Sequence, residues 1–211
     1  REAHGGQVTV VSVGQSFALD VIKRPLSMGA DKLILLQDEA FENTADSHFT
    51  VTVLTEAIKK IGEYDIIIAG RQASDWDNAR VPLGIAEMLG IPIITIGRKV
   101  EVNDGNVIVE RVLPDGYEVM EAPLPAIVTV SNELGIPRYP SLSNVMAASR
   151  KLPTTWSASD IGIDPSTIKP RLKVRDLFIP ISSKRVEWIE GEDAAEKAMN
   201  LTHKLHELKL I

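Results

Sequence analysis

Three short runs of aliphatic residues, each followed by a helical pattern, constrain the fold of this chain more than any other feature. The runs are residues 7–13, 31–36 and 65–69, and apolar residues recur at helical spacing between them. A strand that is apolar on both faces must be covered on both, and helices between such strands supply that cover. The pattern therefore predicts an α/β fold with a mostly parallel, nucleotide-binding-like sheet and helices on both faces.

The middle of the chain has a different pattern. Residues 99–111 are rich in β-branched residues on either side of Asp104-Gly105, which is a dipeptide typical of hairpin turns. A further aliphatic run follows at residues 126–130. We expect a β-hairpin and then one more buried strand.

The last quarter of the chain shows little periodicity. Residues 152–192 predict an extended arm, and residues 193–211 predict a terminal helix with a stripe of apolar side chains. We therefore expect an α/β domain at residues 1–151, followed by an arm and a C-terminal helix at residues 152–211.

Composition argues against several classes of function. The net charge is −6, whereas binding to nucleic acid or to an anionic membrane needs a basic face. No apolar run approaches the roughly 20 residues that span a bilayer. There is no cysteine, and His203 and His206 fit a solvated helix face better than a metal site. We expect no nucleic-acid partner, no membrane insertion and no metal.

Motifs for bond-making chemistry are also absent from the sequence. It contains no Gly-x-Ser-x-Gly elbow and no Gly-x-x-x-x-Gly-Lys-Ser/Thr loop, so a hydrolase and an ATPase of those types are disfavoured. We identify no catalytic residue, and we expect a protein that is not itself an enzyme.

The turn after the third aliphatic run is the first candidate site, and we name residues 70–81 the phosphate turn. It follows a strand end and leads into a helix, and helix N-termini attract phosphates. Arg71 and Arg80 could contact a pyrophosphate, and Asp77 or Asn78 could cap the helix. A capped helix with a solvated acidic turn explains the same residues, and local physics leaves both interpretations open.

The proline-rich segment that precedes a short predicted helix is the second candidate, and we name residues 137–142 the docking loop. Pro137 and Pro140 restrict the backbone, so the loop can hold an apolar side chain toward a partner at a small ordering cost. The alternative is a plain connector that leads to an amphipathic helix beginning near Ser141.

Both segments resemble the beta subunits of electron transfer flavoproteins. The phosphate turn matches that family's Gly-Arg/Lys-Gln-Ala-x-Asp-x-Asp, although Arg80 stands for a glutamine and Pro82 for a glycine. Residues 137–151 match its Pro-Arg-Tyr-x-Ser/Thr-Leu-x-x-Ile-Met-x-Ala-x-Lys-Lys, and residues 124–130 match Leu-Pro-Ala-Val-Val-Thr-Val.

The resemblance implies a nucleotide site. Such subunits bind AMP, or a second FAD in electron-bifurcating members, while the redox FAD is held mostly by the alpha subunit. The positions that correspond are Val13, Gly14, Gly70, Arg71, Gln72, Ala73, Ser74, Asp75, Asp77, Asn78, Ala79, Arg80 and Val81.

The resemblance also implies partners and a place in the cell. In that family the docking loop binds flavin dehydrogenases such as acyl-CoA dehydrogenases, and Leu142 stands at the position of its exposed leucine anchor. The matching residues are Pro137, Arg138, Tyr139, Pro140, Ser141 and Leu142. The arm would wrap around the alpha subunit, in the cytoplasm or in the mitochondrial matrix of a eukaryote.

Two further expectations accompany the resemblance. The family opens with a strand and a long loop before the point that matches residue 7, so we expect that the true N-terminus is missing. Whether the protein is part of an electron-bifurcating complex stays open.

An adenine-nucleotide-sensing α/β protein of the universal-stress type, without a redox role, is the alternative from another class. Its usual Gly-x-x-Gly-x(9)-Gly-Ser/Thr pattern is absent from the sequence.

Overall fold

The computed structural model describes residues 2–169, 171–181 and 186–211. Within these residues the chain divides into two compact units, Arg1–Val174 and Arg175–Ile211. Segment 152–174, which the sequence predicts as the start of the arm, is thus part of the first unit.

The first unit contains all the strands and five of the six α-helices that the structure describes. The strands are β1 (Thr9–Gly14), β2 (Lys32–Gln37), β3 (Ile66–Gly70), β4 (Ile93–Asn103), β5 (Asn106–Leu113), β6 (Gly116–Pro123), β7 (Ala126–Val130) and β8 (Thr154–Trp156). The helices are α1 (Leu19–Ile22), α2 (Arg24–Ser27), α3 (Ser47–Ile61), α4 (Val81–Leu89) and α5 (Leu142–Arg150).

The strands form two open sheets. One has the order β1-β2-β8 and is wholly parallel, and the other has the order β3-β7-β4-β5-β6. In the second sheet β3, β7 and the start of β4 are parallel, whereas β4, β5 and β6 form an antiparallel meander. The predicted α/β class is confirmed, with two sheets instead of one. The predicted hairpin is β4–β5, and both Asp104 and Gly105 in its turn have positive φ.

Strand β2 is buried on both faces, as its aliphatic sequence predicts. Ile34 and Leu36 pack with Phe49 and Val53 of α3, while Leu33 and Leu35 face the opposite core. That opposite core consists of residues from α2, α5 and the turn after α2, namely Leu26, Ala30 and Ala148.

Strand β7 is also buried on both faces, but its two covers differ. Ile127 packs with Val51 of α3 and with Ile85 of α4. Val128 lies in a cluster that strand residues dominate, including Val107 and Val109 of the meander. The meander therefore covers the face of this sheet for which the sequence predicts a helix.

Segment 152–174 is fastened to the first unit by polar contacts as well as by strand β8. The Asp38 carboxylate accepts the amide N–H of Ala158 at 3.0 Å. The Nζ of Lys60 donates to the Asp160 carbonyl and lies 4.8 Å from the ring centroid of Trp156. These contacts let a segment of low periodicity become ordered on its own domain.

Asp46 makes the most buried of these links, with 2% of its surface exposed. One carboxylate oxygen caps α3 by accepting the His48 amide at 2.9 Å. The other accepts the amides of Arg171 at 2.5 Å and Leu172 at 3.1 Å. Burial raises the pKa of Asp46, but the hydrogen bonds from these amides and from Phe49 outweigh it, so the pKa lies below the usual value of 3.8.

The second unit contains helix α6 (Ala194–Glu207), which Asp193 caps at its N-terminus. The Asp193 carboxylate accepts the Glu196 amide at 2.8 Å. Lys204 pairs with Glu187 at 2.7 Å, and the Asn200 side chain donates to the Glu190 carbonyl at 3.0 Å. Polar contacts thus hold the helix against the segment that precedes it.

Asp46→Ala should lower the free energy of unfolding by roughly 2–3 kcal/mol at neutral pH, because a helix cap is lost and buried amides lose their acceptor. Since the folded-state pKa is lowered, the carboxylate stabilises the fold above the unfolded pKa, and this contribution is lost as the pH falls below about 4. Urea unfolding at pH 7 and pH 3 measures the difference between wild type and variant, which should shrink in acid. Asp193→Ala, at an exposed cap, is the matched control; an equal loss at both pH values would contradict the role given to the charge.

Candidate functional site

The segments that lead to the two predicted sites begin at the carboxyl ends of two neighbouring strands, β3 and β7. Gly70 of β3 and Gly97 of β4 lie on either side of Val130, the last residue of β7. The phosphate turn leaves from Gly70, and the chain that leads to the docking loop leaves from Val130. The amide of Arg71 donates to the Val130 carbonyl at 2.9 Å. This hydrogen bond joins the two segments where they leave the sheet.

The backbone of the phosphate turn alternates between left-handed and right-handed conformations. Asp77 and Ala79 have φ values of 52° and 51°, which are uncommon for residues other than glycine. Arg80 follows with φ −97° and ψ −30°, in the right-handed region. A left-handed residue followed by a right-handed one turns successive amides toward the same side, which creates a concave site for an anion.

Helix α4 begins later than the sequence predicts. Its cap position is Arg80, and no side chain caps it, so the prediction that Asp77 or Asn78 caps the helix is wrong. The left-handed Ala79 separates both residues from the helix. The amides of Val81 and Leu83 in the first turn therefore have no intrahelical acceptor and no capping side chain.

The acidic side chains of the turn are held by the turn itself. The Asp77 carboxylate accepts the side-chain amide of Gln72, and Asp75 accepts the Trp76 amide at 2.9 Å. Arg71 and Arg80 are exposed, and neither forms an ion pair with any residue that the structure describes. The turn therefore offers two unpaired guanidinium groups, while its carboxylates are engaged locally.

Val13 and Gly14 lie at the carboxyl end of β1, beside Leu36 and Gln37 of β2. They stand on the three-stranded sheet, whereas the phosphate turn leaves the five-stranded sheet. Strand pairing therefore does not join these two parts of the predicted site. All of the other predicted nucleotide positions lie within one continuous turn.

The docking loop is displayed at the surface. Tyr139 is 86% exposed and Leu142 is 77% exposed. Leu142 is the first residue of α5, and the Ser141 hydroxyl caps this helix by accepting the Asn144 amide at 3.2 Å. The last turn of α5 is anchored by Ala148 in the core, so the helix is held at one end and presents the other.

Arg138 forms an ion pair within the chain. Its guanidinium makes a bidentate pair with the Glu2 carboxylate, with distances of 2.5 and 3.1 Å, and this contact raises the pKa of Arg138. A cleft of about 900 Å³ opens beside this pair and is lined by Val8 and Pro25 among others. The cleft lies at the amino end of β1, away from the phosphate turn.

Two residues of this region were missed by reasoning from sequence. Thr129 is buried inside an aliphatic strand, and its hydroxyl accepts the Ile96 amide at 2.9 Å. Nothing in the sequence pattern distinguishes it from other strand residues. Ile136 is 91% exposed. Its position next to Pro137 is the sequence feature that could have indicated this exposure.

The described part of the chain contains neither a cluster suited to a metal ion nor a helix suited to span a membrane. Among residues 2–169, 171–181 and 186–211, no group of three or more His, Asp or Glu side chains could hold a metal ion. No helix in these ranges is both long enough and apolar enough to cross a membrane.

Comparisons with known proteins find consistent similarities. Residues 1–161 match the model of the electron transfer flavoprotein domain. The chain is 39% identical over 215 residues to the electron transfer flavoprotein subunit beta of Thermoanaerobacterium thermosaccharolyticum, with 100% of this chain and 82% of that protein covered. It is 37% identical over 214 residues to the caffeyl-CoA reductase-Etf complex subunit CarD of Acetobacterium woodii, with 100% and 81% covered. The beta subunit of Bacillus subtilis is 33% identical over 212 residues, with 100% and 82% covered.

Proposed function

The chain belongs to the electron transfer flavoprotein family, among its beta subunits, and from this membership we propose that it works as one half of a heterodimer with an alpha subunit. The observation that carries the proposal is the alignment of the entire chain with such beta subunits. The heterodimer would accept electrons from flavin dehydrogenases and pass them on. The comparisons favour this function over the nucleotide-sensing alternative.

The proposed ligand of this subunit is an adenine nucleotide, either AMP or a second FAD. The concave backbone at Ala79, the free amides at the start of α4 and the unpaired Arg71 and Arg80 all suit phosphate groups. The redox FAD, which supplies the electron-carrying chemistry, would be held mostly by the alpha subunit. Mass spectrometry of the nucleotide released from the native heterodimer distinguishes AMP from FAD and addresses membership of a bifurcating complex.

The proposed contact with dehydrogenases is the docking loop. An apolar side chain on a proline-restricted loop loses little freedom when it enters a pocket of the partner. Leu142 and Tyr139 are the exposed apolar and aromatic side chains of this loop, and anchors of this kind contribute much of the affinity of an interface. Acyl-CoA dehydrogenases are the proposed class of partner.

The proposed contact with the alpha subunit is the second compact unit. Its extended segment carries large apolar side chains that are more than three-quarters exposed, a pattern that marks interaction surfaces. The group comprises Leu177, Phe178, Ile179, Ile181, Val186 and Trp188. We propose that these side chains lie against the alpha subunit, in the cytoplasm of a bacterium like those that supply the relatives.

Arg80→Glu should weaken nucleotide binding to the native heterodimer by about tenfold or more, because a charge-assisted contact is replaced by repulsion. Isothermal titration with AMP and with FAD measures the effect. Lys32→Glu makes the same change in net charge at the amino end of β2 and should bind as wild type does. Equal affinities for Arg80→Glu and wild type would show that Arg80 does not face the phosphates.

Leu142→Ala should weaken docking to the dehydrogenase by roughly tenfold to a hundredfold, the equivalent of burying one leucine. Stopped-flow reduction of the flavin by the dehydrogenase measures docking. Flavin content and melting temperature should stay close to wild type, because the side chain is exposed. Leu19→Ala, the same substitution at an exposed position of α1, should leave the rate unchanged; a melting temperature lowered by Leu142→Ala alone would contradict a docking role.

Removal of residues 175–211 should abolish co-purification with the alpha subunit while leaving the first unit folded, because strand β8 and the contacts of Asp46 are retained. A longer deletion from Ser157 removes those contacts and should lower the melting temperature as well. If the shorter deletion associates as strongly as wild type, the second unit does not bind the alpha subunit.

A further inference from the structure

The junction between the parallel and antiparallel parts of the five-stranded sheet contains a bulge. Ile94 of β4 pairs with Val128, but the next pair is Gly97 with Val130. Two residues of β4, Thr95 and Ile96, therefore stand opposite the single residue Thr129. Ile96 has a φ of 60°, which is a genuine outlier for a β-branched side chain.

Two neighbours hold this strained conformation in place. The Thr129 hydroxyl accepts the Ile96 amide at 2.9 Å, in place of a backbone acceptor on β7. Gly97 permits the close approach, since a Cβ atom there would lie 2.8 Å from Val109 and 3.3 Å from Val128. Strain of this kind persists only where the surroundings enforce it, and it concentrates at binding sites and switch regions.

The bulge ends beside Val130, where the segments that lead to the two candidate sites leave the sheet. Gly97 pairs with Val130, whose carbonyl accepts the Arg71 amide at the start of the phosphate turn. The chain toward the docking loop continues directly from Val130 through Ser131. A shift of Gly97 against Val130 would therefore displace the start of both segments.

We propose that Thr129 is a positioning residue that, by holding the Ile96 bulge, sets the end of β7 and thereby couples nucleotide binding at the phosphate turn to partner binding at the docking loop. The inference rests on the proposed function of these two sites. Without the hydroxyl, Ile96 loses its acceptor and relaxes out of the left-handed region, and Val130 moves with it. Nucleotide affinity and docking then fall together. Because the proposal has nucleotide and dehydrogenase both bind best to the same position of Val130, linkage requires that bound nucleotide favours docking in the wild type.

The test compares Thr129→Val, which keeps the shape and loses the hydroxyl, with Thr129→Ser, which keeps the hydroxyl. The matched control is Thr50→Val, because Thr50 is also buried and its hydroxyl donates to the Thr44 carbonyl at 2.9 Å, on α3 and far along the chain from both sites. Each native heterodimer is measured for AMP and FAD affinity, for the rate of flavin reduction by the dehydrogenase with and without nucleotide, and for melting temperature.

Thr129→Val should bind nucleotide about fivefold to tenfold more weakly, the usual effect of one lost hydrogen bond, and should lose the dependence of docking on nucleotide. Thr129→Ser should behave as wild type in both respects. Thr50→Val should lower the melting temperature alone. The inference is overturned if Thr129→Val changes only the melting temperature, or if Thr129→Ser loses function to the same degree.

A second variant keeps the test decisive if Thr129→Val folds poorly. In Ile96→Gly/Thr129→Val, glycine adopts positive φ without strain, so the bulge no longer needs the hydroxyl. This variant should recover nucleotide affinity relative to Thr129→Val, and an affinity no better than that of the single variant contradicts the role of the bulge. If the wild type binds neither AMP nor FAD, the proposed nucleotide site fails and the coupling fails with it. Slower docking of Thr129→Val than of Thr129→Ser and Thr50→Val would then show that Thr129 positions the docking loop alone.

Discussion

Strand β7 is the element on which the rest of the first unit depends, because it has no face that can meet water. Ala126, Ile127 and Val128 are wholly buried, so both faces of the strand require an apolar cover. Helices α3 and α4 provide one cover. The meander provides the other, and it can do so because β4 changes from parallel to antiparallel pairing at the Ile96 bulge. The two candidate sites begin where β7 and its neighbour β3 end.

Some segments of the chain are anchored by contacts within the first unit, whereas others present apolar side chains to solvent. Helix α5 is held in the core by Ala148, while Leu142 at its start remains exposed. Segment 152–174 is held by β8 and by the carboxylates of Asp38 and Asp46. Exposed apolar side chains are prominent in the docking loop and in the second unit, which are the surfaces proposed for partners. Polar contacts within the chain thus leave the apolar surface available for association.

Much of the fold could be predicted from periodicity and from turn chemistry, whereas the site residues came from the resemblance to a family and stay a prediction. The aliphatic runs became β1, β2, β3 and β7, Asp104-Gly105 formed the hairpin turn, and the helix predicted to begin near Ser141 is α5. The predicted cap of helix α4 was wrong. Side-chain preference favoured Asp77 or Asn78, whereas the left-handed backbone of Ala79 keeps both residues outside the helix. Positive φ at an alanine leaves no mark in a sequence pattern, since residues other than glycine rarely adopt it.

The sequence by itself determined the α/β class, the family and the places of β1 to β5 and β7, since local hydrophobic periodicity and contiguous motifs carry that information. Tertiary structure decided how the sheet divides, which segment packs on the first unit and how the segments that lead to the two candidate sites are joined at Val130. Those outcomes depend on contacts between residues far apart in sequence, such as Asp46 with Arg171 and Thr129 with Ile96. A single buried hydroxyl or carboxylate gains its role only when folding brings an unpaired amide within hydrogen-bonding distance.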